Sequence, residues 1–482
     1  MMAKVELTTR RRNFIVAVML ISAFVAILNQ TLLNTALPSI MRELNINEST
    51  SQWLVTGFML VNGVMIPLTA YLMDRIKTRP LYLAAMGTFL VGSIVAAMAP
   101  NFGVLMLARV IQAMGGAGVL MPLMQFTLFT LFSKEHRGFA MGLAGLVIQF
   151  APAIGPTVTG LIIDQASWRV PFIIIVGIAL VAFIFGLISI SSYNEVKYTK
   201  LDKRSVMYST IGFGLMLYAF SSAGDLGFTS PVVIGAMIIS SIIIYLFIRR
   251  QFNISNALLN LSVFKNRTFA LCTISSMIIM MSMVGPALLI PLYVQNSLAL
   301  SALLFGLVIM PGAIINGIMS VFTGKFYDKY GPRPLIYTGF TILTITTIML
   351  CFLHTDTSYT YLIVVYAIRM FSVSLLMMPI NTTGINSLKN EEISHGTAIM
   401  NFGRVMAGSL GTALMVTLMS FGAKIFSSTS PSHLTATEIK QQSIAIGVDI
   451  SFAFVAVLVM AAYVIALFIR EPKEIESNRR KF

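Results

Sequence analysis

The chain has 482 residues, of which 57% are hydrophobic and only 11% charged, and its mean hydropathy is +0.85. An ordinary soluble domain carries roughly one quarter charged residues, so this composition excludes a water-soluble enzyme or binding module and defines an all-α polytopic membrane protein. The formal net charge of +15 follows topology and attraction to anionic lipid; no nucleic-acid partner is expected from it.

Fourteen apolar segments follow one another along the chain, at 14–38, 53–73, 81–99, 104–125, 139–163, 169–190, 207–222, 231–248, 269–293, 301–323, 335–353, 360–385, 396–421 and 449–469. A hydrocarbon core about 30 Å thick takes about 20 helical residues, which each segment supplies or approaches. The first is too long for a signal-peptide core and lacks a convincing cleavage site, so a retained helix is expected. Its outer half carries Asn29, Gln30, Thr31 and Asn34. Gln30 and Asn34 are four apart and share a face, so they are expected to meet protein or a substrate cavity, with Asn29 and with Gln149 of the fifth segment.

The short loop 70–80 holds Asp74 and Arg75 at the membrane rim, where a carboxylate can accept bonds from a helix N-terminus and act as a gate. A second copy, 324–333, carries Asp328 and Lys329. The fourth segment contains Arg109, with Gln112 three residues on and on the same face. A buried arginine costs several kcal/mol unless a partner or cavity receives it, which marks the pair as functional. The fifth segment reads Ala-Pro-Ala-Ile-Gly-Pro-Thr-Val-Thr-Gly over 151–160. Pro152, Pro156 and Gly160 stand at intervals of four and, with Gly155, predict a bent helix with a stripe for close packing. Asp164, four residues beyond Gly160, is the leading proton-carrying acid, with Asp225 and Asp449 as rivals.

If the N-terminus is cytoplasmic, Arg42, Lys424 and Lys440 lie on the outer side. Arg109, Arg169, Arg369 and Arg404 lie within or at the edge of the segments, and the rest of the 33 basic residues fall inside. This asymmetry places both termini in the cytoplasm. Cys272 and Cys351 fall within predicted spans, so a structural disulfide is not expected.

An internal repeat organises the segments. Ala36-Leu37-Pro38, read as the end of the first helix, matches Leu289-Ile290-Pro291 at an offset of 253, and Asp74 matches Asp328 at 254. Arg109 matches Arg369 at 260, and Gly155 matches Gly411 at 256. A six-helix bundle over 1–200, an inserted two-helix linker over 201–255 and a second six-helix bundle over 256–482 account for both the offsets and the count. Repeats of this kind place a substrate site near the membrane midplane between the halves.

Together these stretches resemble the major facilitator superfamily, and within it the fourteen-helix drug:proton antiporter branch of the lincomycin-resistance type found in Gram-positive bacteria. The carriers of the resemblance are Leu28 to Pro38, Asp74-Arg75, Arg109 with Gln112, Gly155-Pro156 with Gly160, and Ser167-Trp168-Arg169. It implies a proton-coupled multidrug exporter of amphipathic, lincosamide-like and other lipophilic drugs in the cytoplasmic membrane, working by alternating access, and a role in proton coupling for Arg109 and Gln112. The proton gradient drives it without a cofactor, lipids surround it, and a monomer is expected. The first gate copy has Ala70 and Lys77 where the superfamily's motif has glycines, whereas the second keeps Gly324 and Gly331. Asn29 stands where many relatives carry an aspartate, so the coupling acid lies elsewhere and neutral or zwitterionic drugs are favoured over permanent cations. Export of an endogenous metabolite or lipid is the alternative. A membrane-embedded enzyme is disfavoured, because no acidic pair stands within a span and His136, His354, His395 and His433 lie in loops or at helix ends; for the same reason no metal site is expected.

Overall fold

The computed structural model describes residues 8–46, 48–163, 166–192, 194, 196, 202–254, 257–298, 302–429 and 435–470. At residues 34, 35, 48, 49, 52, 153, 154, 156–158, 160, 161, 163, 224, 225, 302, 303, 305, 306 and 429 it describes the backbone only. The described residues form helices and no strand: α1 (Thr9–Leu44), α2 (Glu48–Arg75), α3 (Thr78–Ala97), α4 (Phe102–Gly115), α5 (Ala117–Leu131), α6 (Arg137–Ile163), α7 (Arg169–Ser189), α8 (Lys203–Leu226), α9 (Pro231–Asn253), α10 (Arg267–Asn296), α11 (Ala302–Tyr330), α12 (Pro332–Met349), α13 (Tyr359–Asn386), α14 (Ile393–Thr429) and α15 (Ala436–Ala466). Twelve stretches are long and apolar enough to cross a membrane, with α4 and α5 forming one of them. Helices α6 and α12 fall on the remaining two expected segments.

The polar punctuation between segments explains where several helices start. Asn101 Oδ1 accepts the Val104 N–H at 3.0 Å and caps α4, and Asn266 Oδ1 accepts the Phe269 N–H at 3.2 Å and caps α10. Thr435 and Glu438 form a capping box at α15. Along α7 and α9 the outward positions Ile173, Leu180, Val181, Ile184 and Ile188, and Val232, Ile234, Ile238, Ile239 and Ile242, are exposed. Helices apolar on the face that no protein covers need lipid around them, so the chain is a multi-pass membrane protein.

Two sequence expectations are corrected. Pro38 and Pro291 do not end helices: α1 runs on to Leu44 and α10 to Asn296, with both prolines inside. In water an interior proline costs about 3 kcal/mol, but inside a bundle neighbouring groups re-satisfy the freed carbonyl. The fourth segment is two helices, α4 and α5, joined at Gly116. There the chain presses on α3 so closely that a Cβ at Gly115 would lie 2.1 Å from Ala85 O. The polar stretch 422–448 is largely helical, because α14 and α15 extend beyond their apolar parts. Cys351 lies just past the end of α12, and both cysteines are free.

The chain divides into two compact units. Unit 1 comprises Met1–Tyr218, Ile239–Val263 and Lys389–Phe402. Its interior packs α1 against α6 and α7, α3 against α4 and α7, and α2 against α4 and α5. Leu33, Ala36, Leu54, Ala108, Trp168 and Phe172 form one apolar cluster of this unit. Unit 2 comprises Ala219–Ile238, Phe264–Leu388 and Gly403–Phe482. Here α13 is the centre, flanked by α10, α11 and α12, while α15 covers α10 and α12.

Candidate functional site

In unit 1, Arg109 is fully buried and its guanidinium is held by neutral groups. Nη1 donates to Gln112 Oε1 at 3.0 Å and to Asn29 O at 3.5 Å, and Nε donates to Leu54 O at 3.3 Å. The Phe58 ring lies under the guanidinium at 3.9 Å, a cation–π contact inside the bundle. Gln112 Nε2 continues the network to Ser93 Oγ at 3.0 Å and Asn29 Oδ1 at 3.4 Å. Arg109 Nη2 and Asn29 Nδ2 are buried without a hydrogen-bond partner. The spacing of Arg109 and Gln112 was legible in the sequence, whereas the joining of Asn29 to them across 80 residues was not.

Unit 2 repeats the arrangement around Arg369. It is fully buried and donates to Ser282 O and to Thr347 Oγ1, leaving Nε unpartnered. Asn29 and Ser282 differ by 253, the offset of the two proline motifs, and Ser93 and Thr347 differ by 254, the offset of the two gate loops. Each arginine therefore points at the same backbone carbonyl of the first helix of its repeat. Cys351 Sγ donates to Thr347 O at 3.3 Å. Asp449 is half-buried and its Oδ1 accepts the Leu353 N–H at 2.9 Å.

The loop between α2 and α3 is built around residues that its own sequence does not reveal. Asn194 Oδ1 accepts from Thr78 N and Oγ1, both at 2.8 Å, while its Nδ2 donates to Met73 O at 2.7 Å and Ile76 O at 2.9 Å. Asp74 meets the first turn of α14: Ser394 Oγ donates to its Oδ1 at 2.7 Å, and His395 Nε2 lies 3.1 Å from its Oδ2. The Asn260 N–H donates to His395 Nδ1 at 3.3 Å, which leaves the imidazole proton on the Asp74 side. A carboxylate at a helix N-terminus is what the macrodipole favours. Arg75 donates to Tyr71 Oη. In the second loop Asp328 is half-buried, and Lys329 Nζ lies 5.1 Å from the centre of the Tyr330 ring.

In α6, Gly155 fits where no side chain would, since a Cβ there would stand 2.3 Å from Thr31 Oγ1 of α1. Gly411 does the same in unit 2, 2.9 Å from Met281 Cα of α10. Pro152 and Gln30 are half-buried and Gln149 is buried. Asp164 lies outside the described residues; the side chains of Asn34, Pro156 and Asp225, and the surroundings of Gly160, do too. No cluster of potential metal ligands occurs among the described residues.

Helices of membrane-crossing length, two repeat-related buried arginines and a carboxylate clasped at a rim loop define a transporter. The sequence profile of the Major Facilitator Superfamily matches residues 19–412, and the chain belongs to that superfamily. It is 40% identical over 473 residues to the MFS-type transporter YcnB of Bacillus subtilis, covering 98% of each chain. It is 38% identical to the lincomycin resistance protein LmrB of Listeria monocytogenes, over 95% of this chain and 97% of that one. The fold is shared with the human organic anion transporter MFSD10 (TETRAN), at a TM-score of 0.67 and 12% identity, over 94% of this chain and 99% of that one. The chain is thus a membrane transporter of small molecules and not an enzyme.

Proposed function

We propose that the protein is a proton-driven exporter of amphipathic, lincosamide-like and other lipophilic drugs, working by alternating access in the cytoplasmic membrane as a fourteen-span monomer with both termini inside. The observation that carries the reading is the Arg109–Gln112–Asn29–Ser93 network, a buried cation braced only by neutral groups at the position marked for coupling. Relatives named for lincomycin resistance support the drug class. Such a network keeps its charge fixed while an acid elsewhere gains and loses the proton. Asp164 is the first candidate for that acid, with Asp225 and Asp449 as rivals.

Purified protein in proteoliposomes tests this directly. Dye or lincosamide movement should follow an imposed pH gradient and release protons on substrate addition. Among Asp164→Asn, Asp225→Asn and Asp449→Asn, the first should lose proton release; parental exchange there with loss in either rival would reassign the carrier. Movement that ignores the pH gradient would refute proton coupling.

A further inference from the structure

One flank of unit 1 carries a cavity of about 550 Å³ whose described lining comes from the first turns of α1: Thr8, Arg10, Arg11, Asn13, Phe14 and Ala17. Arg10, Asn13, Phe14 and Ala17 stand three or four residues apart and share one face of the helix. At 1.5 Å per residue that face passes from a guanidinium to apolar side chains over roughly 10 Å. The Arg10 guanidinium is exposed and has no partner among the described residues. Arg11 reaches the end of α7, where its Nη2 donates to Ser191 Oγ at 2.8 Å, and Phe14 meets Phe185 edge to face with ring centres 5.6 Å apart. Arg79 of α3 closes on the same end of α7, its Nη2 donating to Leu187 O at 2.9 Å. Beside these arginines Phe14, Ile184, Phe185 and Ile188 are exposed, Ile188 by 73%. Cations from two elements thus stand at the rim of an apolar face that lipid covers.

We propose that this cavity seats one anionic phospholipid, its phosphate held by Arg10 and Arg11 and an acyl chain laid along Phe14, Phe185 and Ile188. The order of the lining, cations first and apolar groups deeper along α1, is the order of the parts of such a molecule. A guanidinium presents paired donors that match phosphate oxygens, and bonds of that kind are stronger than those between neutral groups. None of the six lining side chains is acidic, so nothing among them offsets the arginines. Basic residues at a membrane surface attract anionic lipid in general, but without a cavity and an apolar floor they hold no individual molecule. The floor separates this seat from a site for free phosphate, and the paired cations separate it from a site for a lipid with a quaternary ammonium head. So seated, the lipid bridges the start of α1 and the end of α7, which Arg11 already joins. The reading does not depend on what the transporter carries.

Native mass spectrometry of the full chain in mild detergent, titrated with phosphatidylglycerol or with phosphatidylcholine of the same acyl chains, tests the seat. The parent should retain one phosphatidylglycerol at least about tenfold more tightly than phosphatidylcholine. Arg10→Gln should weaken that binding by about tenfold, and Asn13→Asp, which sets a carboxylate in the cavity at unchanged size, should do the same. Asn13→Asp leaves every arginine in place, so a misfolded Arg10→Gln protein does not end the test. Arg249→Gln removes another exposed arginine, one outside the cavity at the end of α9, and should leave the affinity within about twofold of the parent. Equal binding of the two lipids, parental affinity in Asn13→Asp, or a loss in Arg249→Gln as large as in Arg10→Gln would overturn the seat. Displacement of phosphatidylglycerol by inorganic phosphate at equal concentration would overturn it too, since the acyl chain would then contribute nothing.

Discussion

Arg109 in unit 1 and Arg369 in unit 2 sit at corresponding places, yet their neighbours differ in kind. Arg109 is joined to Gln112 and Asn29, two amides that can each donate and accept, and lies over the Phe58 ring. Arg369 has hydroxyl groups in the matching places: Thr347 stands for Ser93, Ser282 for Asn29 and Ser372 for Gln112. Ser372 Oγ turns back to Arg369 O and leaves the guanidinium. Amides relay a hydrogen-bond change along a chain, whereas a hydroxyl bonded to its own helix does not. The two arginines thus share a buried charge but not a network, since only Arg109 is joined to amides.

The largest expected effect separates these roles. Arg109→Lys should reach the membrane and lose coupled dye export by about a hundredfold or more, because one ammonium cannot span Leu54 O, Asn29 O and Gln112 Oε1. Arg369→Lys should keep at least about a third of parental export, since a point charge still satisfies Ser282 O or Thr347 Oγ1. Everted-vesicle transport normalised to membrane-inserted protein reads both. Equal losses in the two variants would erase the distinction drawn between the sites.

How much of this was legible beforehand differs between the fold and the site. The apolar segments could be read because lipid makes hydrophobicity nearly continuous, whereas Ser93, Ser282 and Thr347 at the two arginine sites were not singled out by the sequence. Helix ends at Pro38 and Pro291 were misread, because proline stops a helix in water but not in a bundle. Asn194, Ser394 and His395 were invisible as site residues: each is an ordinary polar residue whose role arises only when chain more than a hundred residues away folds onto the rim loop. The loop's missing glycine, by contrast, can now be explained. Lys77 takes φ −58°, ψ 145°, open to any residue, whereas Gly331 at the end of the second loop takes φ 85°.

That contrast gives the next prediction, of intermediate size. Gly331→Ala should destabilise the purified protein by about 1–3 kcal/mol, the cost of holding a residue with a Cβ at a positive φ and extended ψ that essentially only glycine adopts. Lys77→Gly should be close to neutral, because Asn194 and not backbone strain shapes that turn. Asn194→Ala should then cost more than Lys77→Gly, as four hydrogen bonds to Thr78, Met73 and Ile76 are lost. Thermal unfolding in detergent orders the three. A harmful Lys77→Gly would mean that the two loops share one backbone requirement after all.

The smallest effect contrasts the arginines that have no carboxylate with one that has. Arg250 of α9 binds Asp202 in bidentate fashion, Nε to Oδ2 at 2.5 Å and Nη2 to Oδ1 at 2.8 Å, and Ser205 Oγ and N–H also donate to Oδ2. The Arg250 bond foremost holds the Asp202 carboxyl well below its ordinary range. A depressed folded-state pKa means that the clasp is fully present above the unfolded carboxyl value near 3.9 and is lost as pH falls through the folded value. Both side chains are partly exposed, 29% for Arg250 and 20% for Asp202, so solvent screens the pair and its contribution at neutral pH should stay small. Asp202→Asn should therefore melt slightly below the parent at pH 7, and the two curves should converge as pH is lowered from about 5 toward about 2. Arg250→Lys should show the same convergence with a smaller gap, because lysine keeps the charge and loses the fork. A gap that persists unchanged at low pH would show that Asp202 acts there through its hydrogen bonds to Ser205 alone, and the contrast between paired and unpaired arginines would then rest on the buried sites.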